Sequence, residues 1–166
     1  LHFHSDKKID ILVVGVNLFN WLYFNKKQKE NYYNHLELIK EISLKYSNLN
    51  ICLKHHPNNK KDPIEHEILK GSNVNYLKPE LNSYSYIKNS KVIFSCSSTM
   101  VIEAYGINGR AYFINPKHDN LAFFEKNKFL KEITLSECNE IEELINKIFL
   151  EKKLIQNNSD RICLKN

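Results

Sequence analysis

Lys91-Val92-Ile93-Phe94-Ser95-Cys96-Ser97-Ser98-Thr99-Met100-Val101-Ile102-Glu103-Ala104 decides the fold class of this chain. Residues 91–94 are an apolar run with β-branched members, and residues 98–107 carry a helical pattern, so a strand turns directly into a helix through a run of small hydroxyls. A helix start leaves its first amide hydrogens unpaired and carries a partial positive charge, and an anion there gains about 0.3 to 2 kcal/mol. Glu103 follows one turn later, an acid able to accept from hydroxyl groups.

The same alternation extends in both directions. Residues 9–16 form a nearly continuous apolar run broken by Asp10, the signature of a strand buried on both faces. Residues 31–46 read as a helix from Leu36, Ile39, Leu44 and their neighbours, and residues 50–55 as a second strand stopped by Pro57. Then come a short helix at 63–69, a short strand at 74–77, a helix at 81–89, and the quoted strand and helix, the latter ended by Gly106 and Gly109. Residues 110–114 read as a strand closed by Asn115-Pro116, 121–126 as a helical turn or two, 129–134 as a final strand, and 140–154 as an amphipathic helix. Strand and helix in turn predict an α/β chain: a single Rossmann-like domain over residues 1–166, with its core at about 9–150 and about six parallel strands under helices on both faces.

Composition narrows the function classes. At 166 residues, 42% apolar and 11% aromatic, the chain suits one soluble globular domain, and no apolar stretch is long enough to span a bilayer. The first residues lack the basic start and apolar run of a secretory signal, and the missing initiator Met points to a fragment or trimmed product. Cys52, Cys96, Cys138 and Cys163 show no paired spacing, and no CxxC or HxxxH pair supports a metal; a reduced, cytoplasmic setting without a metal cofactor is the expectation. The net charge of +5 comes from lysines scattered among asparagines, with only Arg110 and Arg161, which does not suit a nucleic-acid reader. An anionic nucleotide, glycan or lipid surface is compatible with it, and the lysines near residue 26 suit peripheral contact at the inner face of a membrane.

Ligands of open α/β sheets bind beyond the carboxyl ends of the strands. Two motifs fall there: Lys54-His55-His56-Pro57-Asn58 after the second strand, and Ser95-Cys96-Ser97-Ser98 after the fourth. Pro57 stops the strand and keeps His56 extended at the rim, while alternation puts Lys54 and His56 on one face and His55 on the other. Gly15 and Asn17 end the first strand at the same rim, and His118 follows the fifth.

The series Lys54-His55-His56-Pro57, Tyr76-Leu77-Lys78-Pro79, residues 86–95, and Ser97-Ser98-Thr99 through Glu103-Ala104 and Gly106 resembles the carboxyl-terminal, donor-binding half of GT-B glycosyltransferases. It most resembles the group of bacterial sialyltransferases, polysialyltransferases and capsule or lipopolysaccharide glycosyltransferases that carry HP and SS motifs. The resemblance implies that His56 is the catalytic group stabilising a departing phosphate, and that His56, Ser97, Ser98 and Thr99 hold the phosphate of a CMP-linked sugar. It further implies that Lys78, Pro79, Glu80 and Glu103 contact the nucleoside, with Gly15, Asn17 and His118 as candidates for the sugar pocket. Inverting transfer without a metal to a glycan or glycolipid acceptor is what such a donor half serves. The amino-terminal half of GT-B proteins, which carries the general base, is absent from these 166 residues. The isolated chain is therefore expected to bind donor and transfer little or nothing. A transferase moving a polyol phosphate from a CDP-linked donor, a sugar-nucleotide epimerase, and a non-catalytic nucleotide-binding partner subunit are the alternatives.

Overall fold

A computed structural model of the chain describes residues 8–17, 26–56, 62–77, 82–115 and 127–163. Six strands form one sheet: β1 (Ile9–Val14), β2 (Ile51–Lys54), β3 (Asn75–Leu77), β4 (Ser90–Ser95), β5 (Ala111–Ile114) and β6 (Thr134–Leu135). Their order is β3-β2-β1-β4-β5-β6, and every neighbouring pair is parallel. The fold is thus the expected Rossmann-like α/β architecture, in the strand order of dinucleotide-binding sheets. All six residues of β1 are buried, as a central strand covered on both faces requires.

Among the described residues six helices cover the sheet: α1 (Lys26–Lys45), α2 (Pro63–Leu69), α3 (Ser83–Lys88), α4 (Met100–Asn108), α5 (Lys128–Glu132) and α6 (Cys138–Cys163). Strand alternation sorts the core into two layers. Ile11, Val13, Leu53, Val92 and Phe94 pack with Tyr32, Leu36 and Ile39 of α1, Leu69 of α2, and Ile141, Ile145 and Ile148 of α6. Leu12, Val14, Cys52, Ile93 and Phe113 pack with Ile87 of α3, Val101 and Ala104 of α4, and Leu130 of α5.

Local chemistry sets the helix ends. Asp62 accepts from the Ile64 amide at 3.1 Å and is followed by Pro63, which needs no amide partner at a first helical position. Asn82 caps α3 through the Tyr84 amide at 2.9 Å. Gly109, with φ 68°, ends α4 in the left-handed region that a side chain disfavours, whereas Gly106 lies inside the helix.

Several elements differ from the sequence expectation, among them α6, which runs over Cys138–Cys163 against the expected 140–154. Residues 129–134 are not a strand: Asn127 accepts from the amides of Phe129 and Leu130 and starts α5, and the sixth strand is Thr134–Leu135. α1 begins at Lys26 rather than residue 31 and ends at Lys45, and its inward face uses Ile42 and Ser43, with Tyr46 buried just beyond it, leaving Leu44 53% exposed. β1 ends at Val14, two residues early, and the Gly15 amide donates to the Lys54 carbonyl at 2.9 Å as the last rung of the β1–β2 ladder. The helical turn expected over 121–126, and Trp21, Tyr23 and Phe24, lie outside the described residues.

At the amino end of the sheet a charged knot ties α6 to the strands. Asp10, 2% exposed, takes Lys152 at 2.5 Å, Lys91 at 3.0 Å and the Asn50 amide at 2.8 Å, and Lys152 also donates to the Asn48 carbonyl at 2.6 Å. Burial pushes the Asp10 carboxyl up, but the hydrogen bonds from Lys152, the Asn50 amide and Lys91 together hold it below its ordinary value. Among the described residues no helix is long and apolar enough to cross a membrane.

Candidate functional site

Because all strands run parallel, the ends of β1, β2 and β4 share one rim, and β1 lies between the other two. The chain runs outward from β1 through β2 to β3, then returns to β4 on the far side of β1. The strand order therefore reverses between β1 and β4, where the carboxyl ends of an open sheet leave a crevice. Gly15, Val16 and Asn17 lead out of β1 on one side of that point, and Ser95 to Thr99 lead out of β4 on the other.

The serine run is held from within. The Ser95 hydroxyl, fully buried, donates to the Val14 carbonyl at 2.7 Å and accepts from the Ser98 amide at 3.2 Å, so one side chain joins β1, β4 and the approach to α4. Ser98 then turns the chain: its hydroxyl accepts from the Met100 amide at 3.4 Å and its carbonyl from the Val101 amide at 3.1 Å. Thr99 is the residue before α4, exposed, and makes no side-chain cap bond. Ser97 is partly exposed, its hydroxyl 3.8 Å from the Cys96 sulfur. Ser97, Ser98 and Thr99 thus flank a helix start with three hydroxyls outside the core, while Ser95 is structural. Cys96 is buried, and burial raises its thiol to about 12 despite a weaker opposing hydrogen bond from Ser97, which disfavours the thiolate.

His56 follows β2 and is partly buried. Its pKa is lowered, first by burial and second by the positive charge of Lys54. A neutral imidazole offers one donor and one acceptor, and a phosphate brought beside it would draw its proton affinity back up. Lys54, 5% exposed, ends β2 two residues beyond Cys52 and so falls on the face that α3 and α4 cover. His55 takes the other face, with its Nδ1 2.8 Å from Glu65 Oε1 of α2.

Gly15 has a packing reason for lacking a side chain. A Cβ there would meet the His56 amide nitrogen at 3.2 Å, the Lys54 carbonyl at 3.3 Å and the Tyr32 hydroxyl at 3.4 Å. Its close approach is to β2, which brings the backbone of His56 against the end of β1. Asn17 is partly buried two residues on. Glu103 stands exposed on α4 and accepts from the Tyr84 hydroxyl of α3 at 2.7 Å, a bond that raises the Tyr84 pKa. A carboxylate has about four lone-pair sites, so one tyrosine leaves capacity for another donor.

The structure brings His56, Gly15, Asn17, Ser97, Ser98 and Thr99 to one rim, with Glu103 one turn along α4. Lys78, Pro79, Glu80 and His118 lie outside the described residues. Sequence reasoning missed Ser95 as the internal tie, since Ser95 and Ser97 share one strand parity; what separates them is that β4 ends at Ser95, leaving Ser97 two residues beyond the strand. Among the described residues no group of three or more His, Cys, Asp or Glu is placed to hold a metal ion. Comparison with protein-family models returns no match, and comparison with curated proteins returns none either.

Proposed function

We propose that this rim binds the phosphate of a nucleotide-linked sugar, CMP-linked by preference, as the donor half of an inverting, metal-independent glycosyltransferase of surface polysaccharide or lipopolysaccharide synthesis. The observation that carries the reading is the junction at the point of strand-order reversal: the hydroxyl-rich start of α4 beside the end of β1, with the His56 backbone packed against Gly15 from β2. Such a junction offers hydroxyls, the positive end of a helix and an imidazole to one anion.

In this reading Ser97, Ser98 and Thr99 hold the phosphate oxygens, and His56 donates to the oxygen that becomes the leaving group as the glycosidic bond breaks. The charge that develops there is met by donors already in place, which lowers the barrier without reorganisation. Glu103, steadied by Tyr84, accepts from a ribose hydroxyl. The acceptor hydroxyl and the base that takes its proton belong to a second domain or chain facing this rim, with a glycan or glycolipid as acceptor. Transfer takes place at the cytoplasmic side, with any membrane contact peripheral.

Isothermal titration of the chain with CMP, CDP and UDP tests this. CMP is expected to bind best, and His56→Ala and the double change Ser97→Ala with Ser98→Ala are each expected to raise Kd about tenfold or more, the loss of at least one charge-assisted hydrogen bond. No binding of any of the three at millimolar concentration refutes the reading; preference for CDP would favour transfer of a polyol phosphate instead.

A further inference from the structure

Behind the rim, on the face of the sheet that α1 and α2 cover, lies a polar cluster that the phosphate site does not use. Glu65, in the first turn of α2, is fully buried. One of its carboxyl oxygens accepts from the Tyr32 hydroxyl of α1, and the other, Oε1, lies 2.8 Å from Nδ1 of His55 in ion-pair contact, although neither of these two atoms makes a hydrogen bond among the described residues. The His55 ring is stacked on Tyr76 of β3, with centroids 4.9 Å apart and planes within 10°. Nearby, the Tyr33 hydroxyl donates to Asp62, the residue that caps α2, at 3.2 Å.

A carboxyl group is costly to bury, and a simple core position would be filled by an apolar side chain. What Glu65 joins is specific. Tyr32, on one of its oxygens, has its hydroxyl against Gly15 at the end of β1, and His55, on the other, precedes His56 at the end of β2. The backbone amide of His56 and the Tyr32 hydroxyl are both neighbours of the missing Cβ of Gly15. A single buried carboxyl group therefore stands behind both strand ends at the place where His56 leaves the sheet.

We infer that Glu65 is a positioning residue for His56: through Tyr32 and His55 it fixes the ends of β1 and β2 relative to each other, and so sets where the His56 ring meets the ligand phosphate. The inference rests on the phosphate-site reading for its consequence, but the positioning itself is observable without ligand. A ring displaced by a fraction of an ångström loses hydrogen-bond geometry to an anion while the fold survives.

The test uses the full chain with Glu65→Gln, which keeps size and one acceptor, and Tyr32→Phe, which removes only the hydroxyl. Two readouts are taken: CMP affinity by isothermal titration, and the backbone amide resonances of Gly15 and His56 without ligand. In both variants CMP Kd is expected to rise about tenfold, the equivalent of one charge-assisted hydrogen bond, and the two amide resonances to move. A folded variant that melts earlier yet binds CMP within twofold of the parent and leaves both resonances in place overturns the inference, because Glu65 would then be structural alone. If Glu65→Gln fails to fold, Tyr32→Phe decides by the same criteria. If the parent itself binds no CMP, the phosphate-site reading falls, and the amide resonances alone decide whether Glu65 positions this segment.

Discussion

His35 sets a pH limit on this fold whose size follows from its surroundings. The side chain is fully buried on α1, and neither ring nitrogen has a hydrogen-bond partner among the described residues. Asn31, one turn earlier on the same face, is buried with its carbonyl oxygen equally unpartnered. Burial alone lowers the His35 pKa from 6.5 to about 4. In the unfolded chain the imidazole returns to its ordinary value, so between these limits the unfolded state binds the extra proton. The contribution is fully present above about pH 6.5 and is lost as pH falls toward the folded value. A gap of about 2.5 units corresponds to about 3 kcal/mol, of which about 2 kcal/mol is already gone at pH 5. With a urea slope of about 2 kcal/mol/M, the unfolding midpoint should drop by about 1 M between pH 7.5 and pH 5 from this group alone. The assay is urea unfolding followed by circular dichroism at both pH values, for the parent and for His35→Leu. The variant keeps an apolar filling of similar reach and lacks the titrating group, so its midpoint should fall by about 1 M less. Changes from Asp10 and other carboxyl groups are common to both proteins and cancel in the difference. Equal pH dependence in parent and variant would refute the reasoning, since His35 would then have to be charged or hydrated when folded.

Two further substitutions probe the ties that shape the rim and its foundation. Ser95→Ala removes the donor to the Val14 carbonyl and the acceptor of the Ser98 amide; a loss of about 1–3 kcal/mol is expected in urea unfolding, and a loss under about 0.5 kcal/mol would mean the tie is dispensable. At the other end of the sheet, Asp10→Ala is expected to cost about 1–3 kcal/mol because it leaves the partly exposed Lys91 and Lys152 without their shared carboxylate and the Asn50 amide without its acceptor. The double change Asp10→Ala with Lys152→Met should cost less than the two single losses added together, and simple additivity would show that the pair does not couple.

Much of the architecture was legible because it depends on chemistry local to the chain. The unbroken apolar stretch around Ile11 to Val14 has no polar face to offer water, so it becomes a central strand, and Val92 to Phe94 follows suit. The Gly109 signal marks a helix end through a φ requirement that any sequence context carries, whereas Gly106, without a positive φ, stays inside the helix. The rim motifs were legible for the same reason: in a parallel sheet, whatever follows a strand lies at one end. Residues 129–134 were not legible, since Phe129, Leu130 and Ile133 suit a short strand and a short helix equally; the Asn127 cap and the pairing of Thr134 and Leu135 with β5 decide between them.

What the sequence by itself determined is the α/β class, the central strands and the gathering of His56 and the serine run at one rim. The tertiary structure alone decided that β1 sits between β2 and β4, that Ser95 faces inward to tie them while Ser97 does not, and that Gly15 yields its space to the β2 backbone. It alone decided the roles of Glu65 and His35. The Tyr32 and Glu65 side chains that meet in the core are 33 residues apart, and His35 is an ordinary residue on an ordinary helix until the sheet closes over it. Periodicity records which face of an element turns inward; which polar groups then meet, or fail to meet, depends on partners that only the packed chain brings together.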